Sequence, residues 1–378
     1  MDNLTHSLVG LTAAKAGLEK LSPGATALCV LAANAPDADI LALFGGRWFY
    51  LHHHRGITHS ILGTVALAFA LPLIFYVVDL LISRIRKRPA TVRLRGLLLA
   101  SLIVTATHPL LDWTNNYGVR FLLPWNSGWF YGDLVFIMDP VFWLVLGGAS
   151  FLVTSDTRSK VVVWSAIALV PTLLVFLGPA GRGGLSNAIP LRIGWIIVLV
   201  VIVFLHTRRV DKRFELRIPQ VALGVIVLYL AMLAAVHSVA LNRLSNVAAR
   251  MINSGEHPVA MAAMPTLANP LRWLCVIETE RSAYRFELSL RPSTSTTRNV
   301  VSFAKPETLA SPEMTRASQD HRTQIFLNFA RFPIADIVDR DCATQTLVQF
   351  ADLRYTEPGS QRGTFALEVP VECGTDLK

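Results

Sequence analysis

Before residue 240 the chain alternates long apolar runs with short polar breaks; after it the runs become short and alternating. Apolar stretches at 61–83, 97–112, 134–154, 161–178, 193–205 (extended by its flanks) and 221–240 predict helices that cross a bilayer, which takes roughly 20 residues. Residues 25–44 are equally apolar apart from Asn34, Asp37 and Asp39, and Pro36 predicts a helix broken at that point. Residues 2–20 place Leu4, Leu8, Leu11 and Leu18 near helical spacing, with Asp2 or Asn3 to cap the start. Lys15, Glu19 and Lys20 at the far end leave this a half-inserted helix. An amphipathic linker follows at 241–253. From residue 271 the runs LRWLCVIET, AYRFELSLR, NVVSFAK, TQIFLNFARF, TLVQFADL and TFALEVP, separated by turn-formers, predict strands. The expected fold is mainly α: a polytopic transmembrane helical bundle over 1–240, then a small β-rich domain over 241–378.

Composition agrees with a membrane protein. Charged residues are 16% of the chain, against roughly 25% in soluble domains. The net charge of +9 does not point to nucleic acid, because the cations collect between apolar runs. Arg84, Arg86, Lys87, Arg88, Arg93 and Arg95 form one group; Arg208, Arg209, Lys212, Arg213 and Arg217 form another. That is the arrangement of cytoplasmic loops under the positive-inside rule. The N-terminus does not read as a cleaved signal peptide. The expected location is the bacterial cytoplasmic (inner) membrane, with the β-rich domain outside the cytoplasm. Cys275, Cys342 and Cys373 fall in that domain and allow at most one intrachain pair among themselves.

The chain's ionisable residues inside or beside apolar runs are its candidate chemistry, because such groups are costly to desolvate. HHHRGITHS at 52–60 opens the run at Ile61; APDAD occupies 35–39; HPLLDWTNNYG occupies 108–118. With the basic loops inside, all three stretches and His6 fall toward the outer face, so they converge on one site. His108 and Asp112 stand at i and i+4, on one face of a helix. His54 and His59 are five apart and align better with His54 in the loop and His59 in the first turn. Imidazole and carboxylate ligands suit a divalent metal, zinc or a manganese-type ion, as one ion or two. Arg55 beside them is placed to hold a phosphate, and Asp39 to act as ligand or general base. His52 and His53 read as interfacial extras.

D-x-x-T-H at 2–6, P-D-A-D at 36–39, H-R-G-I-T-H-S at 54–60, H-P-L-L-D at 108–112 and F-I-M-D-P at 136–140 together resemble the YdjM-like family of inner-membrane proteins, classed as metal-dependent hydrolases. The resemblance covers roughly the first 150 residues. The order of ligands is also similar to that of zinc-dependent phospholipase C, where an H-x-x-x-D helix bridges metals. That likeness implies metal roles for His6, Asp37, His54 or His59, His108 and Asp112. Further ligands follow the helix in those soluble enzymes; here Asp133 and Asp139 are the local substitutes. The leading expectation is a membrane-embedded hydrolase cleaving a phosphoester of a lipid or lipid-linked substrate, with membrane lipids as its surroundings. The alternatives are a metal or ion transporter or sensor, and a non-catalytic scaffold. A transporter would carry ionisable groups toward the cytoplasmic half, and the runs after 160 hold almost none.

Overall fold

A computed structural model describes residues 1–177, 185–251, 256–291, 297–305, 311–339, 345–357 and 365–372. Among them, six helical segments are long and apolar enough to cross a membrane: Ala25–Gly45, Ile61–Ile85, Leu94–Trp113, Arg158–Leu177, Ile189–Thr207 and Arg217–Met251. Pro140–Thr154 is apolar but shorter than the span expected over 134–154. Asp139 delays its start, accepting from Val141 N at 2.7 Å as its N-cap with Pro140 in the first turn.

The chain folds as two units. The first joins Met1–Asp39 to Arg55–Ala234; the second joins Ile40–His54 to Ala235–Lys378. In the first, α1 (Asn3–Lys15) starts at Asp2, whose carboxylate accepts from Thr5 N. Helix α2 (Ala25–Asn34) gives way at Ala35 to a 3₁₀ segment, Ala35–Gly45, as the proline at 36 demands. Helix α4 (Ile61–Ile85) is capped by Ser60, and α5 (Leu94–Trp113) runs through Pro109 instead of ending there. Ala13, Ala14, Cys29, Ala32, Ala33 and Ala100 form a core of small residues where α1, α2 and α5 meet. Such residues let helix backbones approach closely in a membrane. Gly10 marks the tightest point: a Cβ there would lie 2.5 Å from the Cys29 carbonyl. Buried Asp79 closes the loop between α4 and α5, accepting from Thr91 N, Val92 N and Arg88. Helices α6 (Pro140–Thr154), α7 (Arg158–Leu177), α8 (Leu185–Thr207) and α9 (Val210–Phe214) follow, and α10 (Arg217–Met251) carries the chain into the second unit.

In the second unit β1 (Pro258–Thr266), β2 (Asn269–Thr279), β3 (Ser282–Ser289) and β4 (Thr297–Ala304) form an antiparallel sheet in sequential order. Ala240, Leu244 and Ala248 of α10 pack on its Trp273, Cys275 and Phe286. Cys275 is a free, buried thiol; Cys342 and Cys373 lie outside the described residues. A second antiparallel sheet holds β5 (Pro333–Asp339), β6 (Gln345–Asp352) and β7 (Ala366–Glu372). Helices α11 (Pro312–Gln319) and α12 (His321–Phe329) lie with it. The run TQIFLNFARF, expected as a strand, is mostly α12. Asp320 caps it, and Thr323, Phe326 and Phe329 are buried at a three-residue spacing that a helix, not a strand, puts on one face. The same unit takes in α3 (Arg47–His53): Trp48 packs on the core of Phe326, Phe350 and Leu367, and Arg47 donates to the Ala366 carbonyl.

Candidate metal centre

Four of the expected ligands meet. Asp37, His59, His108 and Asp112 each offer one ligand atom, and these atoms lie within 4.8 Å of one another. The 3₁₀ segment after α2 brings Asp37, a 3₁₀ turn at Ile57–His59 brings His59, and α5 brings His108 and Asp112 on one face. His108 Nε2 stands 3.1 Å from His59 Nε2, 3.4 Å from Asp37 Oδ1 and 3.6 Å from Asp112 Oδ2. His59 Nε2 stands 3.4 Å from Asp37 Oδ1 and 3.3 Å from Asp112 Oδ2. Ligand atoms around a tetrahedral ion at about 2.0–2.2 Å lie about 3.3–3.6 Å apart, so the spacing fits.

The far side of each imidazole is fixed. His108 Nδ1 donates to the Ala33 carbonyl at 2.6 Å, one of the last-turn carbonyls of α2. His59 Nδ1 faces Asp39 Oδ2 at 3.3 Å. Both Nε2 atoms therefore turn inward, toward each other and two carboxylates. Atoms this electron-rich are held so close only with a positive charge among them. Without metal, His59 supplies it. Burial opposes its protonation, but Asp112, Asp37 and Asp39 outweigh burial and raise its pKa to about 10. A field that draws a proton so strongly draws a dication for the same reason.

Asp39 also accepts from Arg55 N at 2.8 Å and Thr58 Oγ1 at 3.3 Å, so it ties the 55–59 turn to the broken helix. Arg55 is buried with φ +51°. Its Nη2 donates to Asp112 Oδ1 at 3.1 Å, and its Nε lies 3.0 Å from Oδ2. Its Nη1 reaches the Asp112 carbonyl, Asn115 Oδ1 and the Gly118 carbonyl, and the guanidinium lies 4.6 Å over Tyr117. His6 stacks on His108 with centroids 3.7 Å apart and sets Nε2 3.3 Å from Asp112 Oδ1; burial lowers its pKa to about 3, so it is neutral. The Met1 amino group also ion-pairs with Asp112. Asp139 is engaged elsewhere, as the α6 cap and as acceptor from Tyr229 Oη at 2.9 Å. His54 belongs to the second unit, as the C-cap of α3 stacked on Tyr50. Asn115, the Ala33 carbonyl and Asn3, which donates to Asp37 Oδ2 at 3.0 Å, support the cluster without any motif that announces them.

Two tests follow from the supporting contacts. Asp39→Asn is expected to lower metal affinity about 10–100-fold, as loss of a carboxylate behind a ligating histidine does, with the helical circular dichroism unchanged. Gly63 lets the His59 turn lie on α4, since a Cβ there would come within 1.8 Å of the Ile57 carbonyl. Gly63→Ala is expected to cost about 1–3 kcal/mol, read as a lowered unfolding midpoint, and to displace His59. Metal titration of that variant should show weaker binding than wild type.

Comparison with known proteins places the N-terminal part of the chain. The family model for the YdjM inner membrane protein matches residues 1–183, and with six helical segments apolar enough to cross a bilayer the protein is a multi-pass membrane protein. A relative from Bacillus subtilis (strain 168), described as uncharacterized protein YfhP, is 27% identical over 154 residues; the match covers 37% of this chain and 42% of that protein. The chain thus spans about two fifths of that relative's length. No solved structure matches it.

Proposed function

We propose, with the YdjM match of residues 1–183 as premise, that the protein is a metal-dependent hydrolase of the membrane, acting on a phosphoester of a lipid or lipid-linked substrate. The observation that carries the metal reading is the inward convergence of two imidazole Nε2 atoms and two carboxylates at 3.1–3.6 Å. Asp37, His59, His108 and Asp112 would hold a divalent ion, which would supply Lewis acidity toward a phosphoryl oxygen and toward water. Zinc suits the ligand set and the spacing.

The residues around it divide the remaining work. Asp39 holds His59 in the tautomer that leaves Nε2 bare, which its contacts favour over a general-base role. Arg55 fixes Asp112, and its ties there favour positioning over a direct grip on phosphate. Neutral His6, stacked on His108 and close to Asp112, is placed to become a ligand or to accept a proton. Of the four clustered ligands Asp37 alone is appreciably exposed, its side chain 17% accessible against 1% or less for the others. Substrate therefore approaches from the Asp37 side. Ile57, Ile61, Leu110 and Trp113, sequence neighbours of His59 and Asp112, expose apolar side chains, which favours a substrate that arrives through lipid.

One observation favours a second reading. Four protein ligands complete a tetrahedral shell, as structural sites do, whereas catalytic sites keep a position open. A metal sensor or a metal-stabilised scaffold would have such a shell. Phosphate release from phospholipid and polyprenyl-phosphate substrates, measured with metal-loaded protein in nanodiscs beside the His108→Ala variant, separates the two. Release by wild type alone supports the hydrolase. No release above the variant, in protein that retains its metal, transfers the site to the second reading.

A further inference from the structure

At the opposite end of α1 from His6 lies a second feature that the metal centre does not use. A cavity of about 530 Å³ is lined by Lys15, Glu19 and Lys20 from the end of α1 and the turn after it, and by Arg213, Glu215 and Arg217 from the junction of α9 and α10. Lys15 is neutralised by Glu19 at 2.8 Å, and Glu19 also accepts from Thr26. Among the described residues, the Lys20, Arg213 and Arg217 side chains make no ion pair. Three cations thus face one open cavity against a single remaining carboxylate, Glu215. Arg213 is steadied by lying 5.4 Å from the Phe214 ring, an apolar member of the same wall.

Its depth is set by the helices. Lys15 closes α1, and Arg217 opens α10, one of the membrane-crossing segments, so the cavity sits where helices leave the hydrocarbon. Under the positive-inside rule the 208–217 loop marks the cytoplasmic leaflet, where the acidic headgroups concentrate. We propose that this cavity binds the phosphate headgroup of an anionic membrane lipid, with Lys20, Arg213 and Arg217 as its contacts and Phe214 against the glycerol end. Free phosphate shares the charge but not the depth or the apolar wall. The site would clamp the start of α10 to the end of α1, a contact the protein otherwise makes here by Gln220 donating to the Ala16 carbonyl at 3.0 Å. This inference is independent of the reading of the metal centre.

The experiment uses the full-length protein in detergent, titrated with phosphatidylglycerol, phosphatidylcholine or inorganic phosphate, with retained lipid read by native mass spectrometry and stability by thermal unfolding. Phosphatidylglycerol should bind and raise the unfolding temperature; the other two should not, and added salt should weaken the effect. The triple variant Lys20→Gln, Arg213→Gln, Arg217→Gln should lose on the order of tenfold to a hundredfold in phosphatidylglycerol affinity, at the worth of interfacial cations. A control removing as many cations from the other loop, Arg84→Gln, Arg86→Gln, Lys87→Gln, should keep it. Equal binding by the triple variant, equal stabilisation by phosphatidylcholine, or full replacement by inorganic phosphate would each overturn the proposal. A triple variant that is not monodisperse is replaced by Arg213→Gln alone, which should still lose severalfold.

Discussion

Purified protein should carry about one divalent ion per chain, and the variant His108→Ala, Asp112→Ala should carry at least about tenfold less, because these two groups are half of the ligand set. The measurement is elemental analysis after dialysis against metal-free buffer. The size of the effect rests on geometry. His108 is held by the Ala33 carbonyl and Asp112 by Arg55, so both are fixed as ligands, and His6, stacked on His108, could replace them only in part. Loss of His108 removes an inward nitrogen; loss of Asp112 removes a carboxylate 3.3 Å from His59 Nε2 and 3.6 Å from His108 Nε2 and leaves Arg55 facing the site. Metal absent from wild type, or unchanged in the variant, sinks the metal assignment. Because removal of Asp112 also breaks a buried ion pair, His108→Ala alone is the cleaner arm. Its loss of metal in a chain with native helix content would isolate ligation from folding.

The second large effect is expected at Arg55. Arg55→Ala should destabilise the protein by about 3–5 kcal/mol, the scale for stripping one partner from a buried ion pair. Denaturant unfolding in mild detergent reads it. The guanidinium serves Asp112 through Nη2, spans Asn115 and two carbonyls through Nη1, and stacks on Tyr117, so four neighbours lose a contact at once. Arg55→Lys should recover little, since an ammonium cannot fork across a carboxylate and two carbonyls. A Lys variant as stable as wild type would show that charge alone, not the planar fork, is what the position requires.

Much of this could be read along the chain, and the residues show why. Helices α4 and α5 announce themselves by apolar length, and Asp37, His59, His108 and Asp112 by the cost of placing ionisable groups there. Their joint location followed from topology alone. What stayed hidden depends on tertiary contact. Whether Asp39 is a ligand or stands behind one turns on which atom of His59 faces it, and no spacing states that. Arg55 beside a histidine motif suggests an anion; only the fold shows Asp112 taking the guanidinium. Strand β1, PVAMAAMPT, lacks a β-branched run like the Val276-Ile277 of its partner β2, and α12 is a short apolar stretch whose period is ambiguous without its cap. Asp79 is, like Asp37, an acid in an apolar run, yet it only ties down a loop.

The grouping of Ile40–His54 with the C-terminal unit has a consequence for how the protein is made. Trp48 packs on side chains such as Phe326 and Leu367, which the ribosome adds about 300 residues later, roughly 15–60 seconds at ordinary elongation rates. For that interval the nascent chain holds the stretch between Asp39 and Arg55 without its partners. A chain cut short at the end of α10 never acquires them. Removing the C-terminal residues is therefore not a clean excision of a separate domain: it also strands the segment between two of the site's own residues.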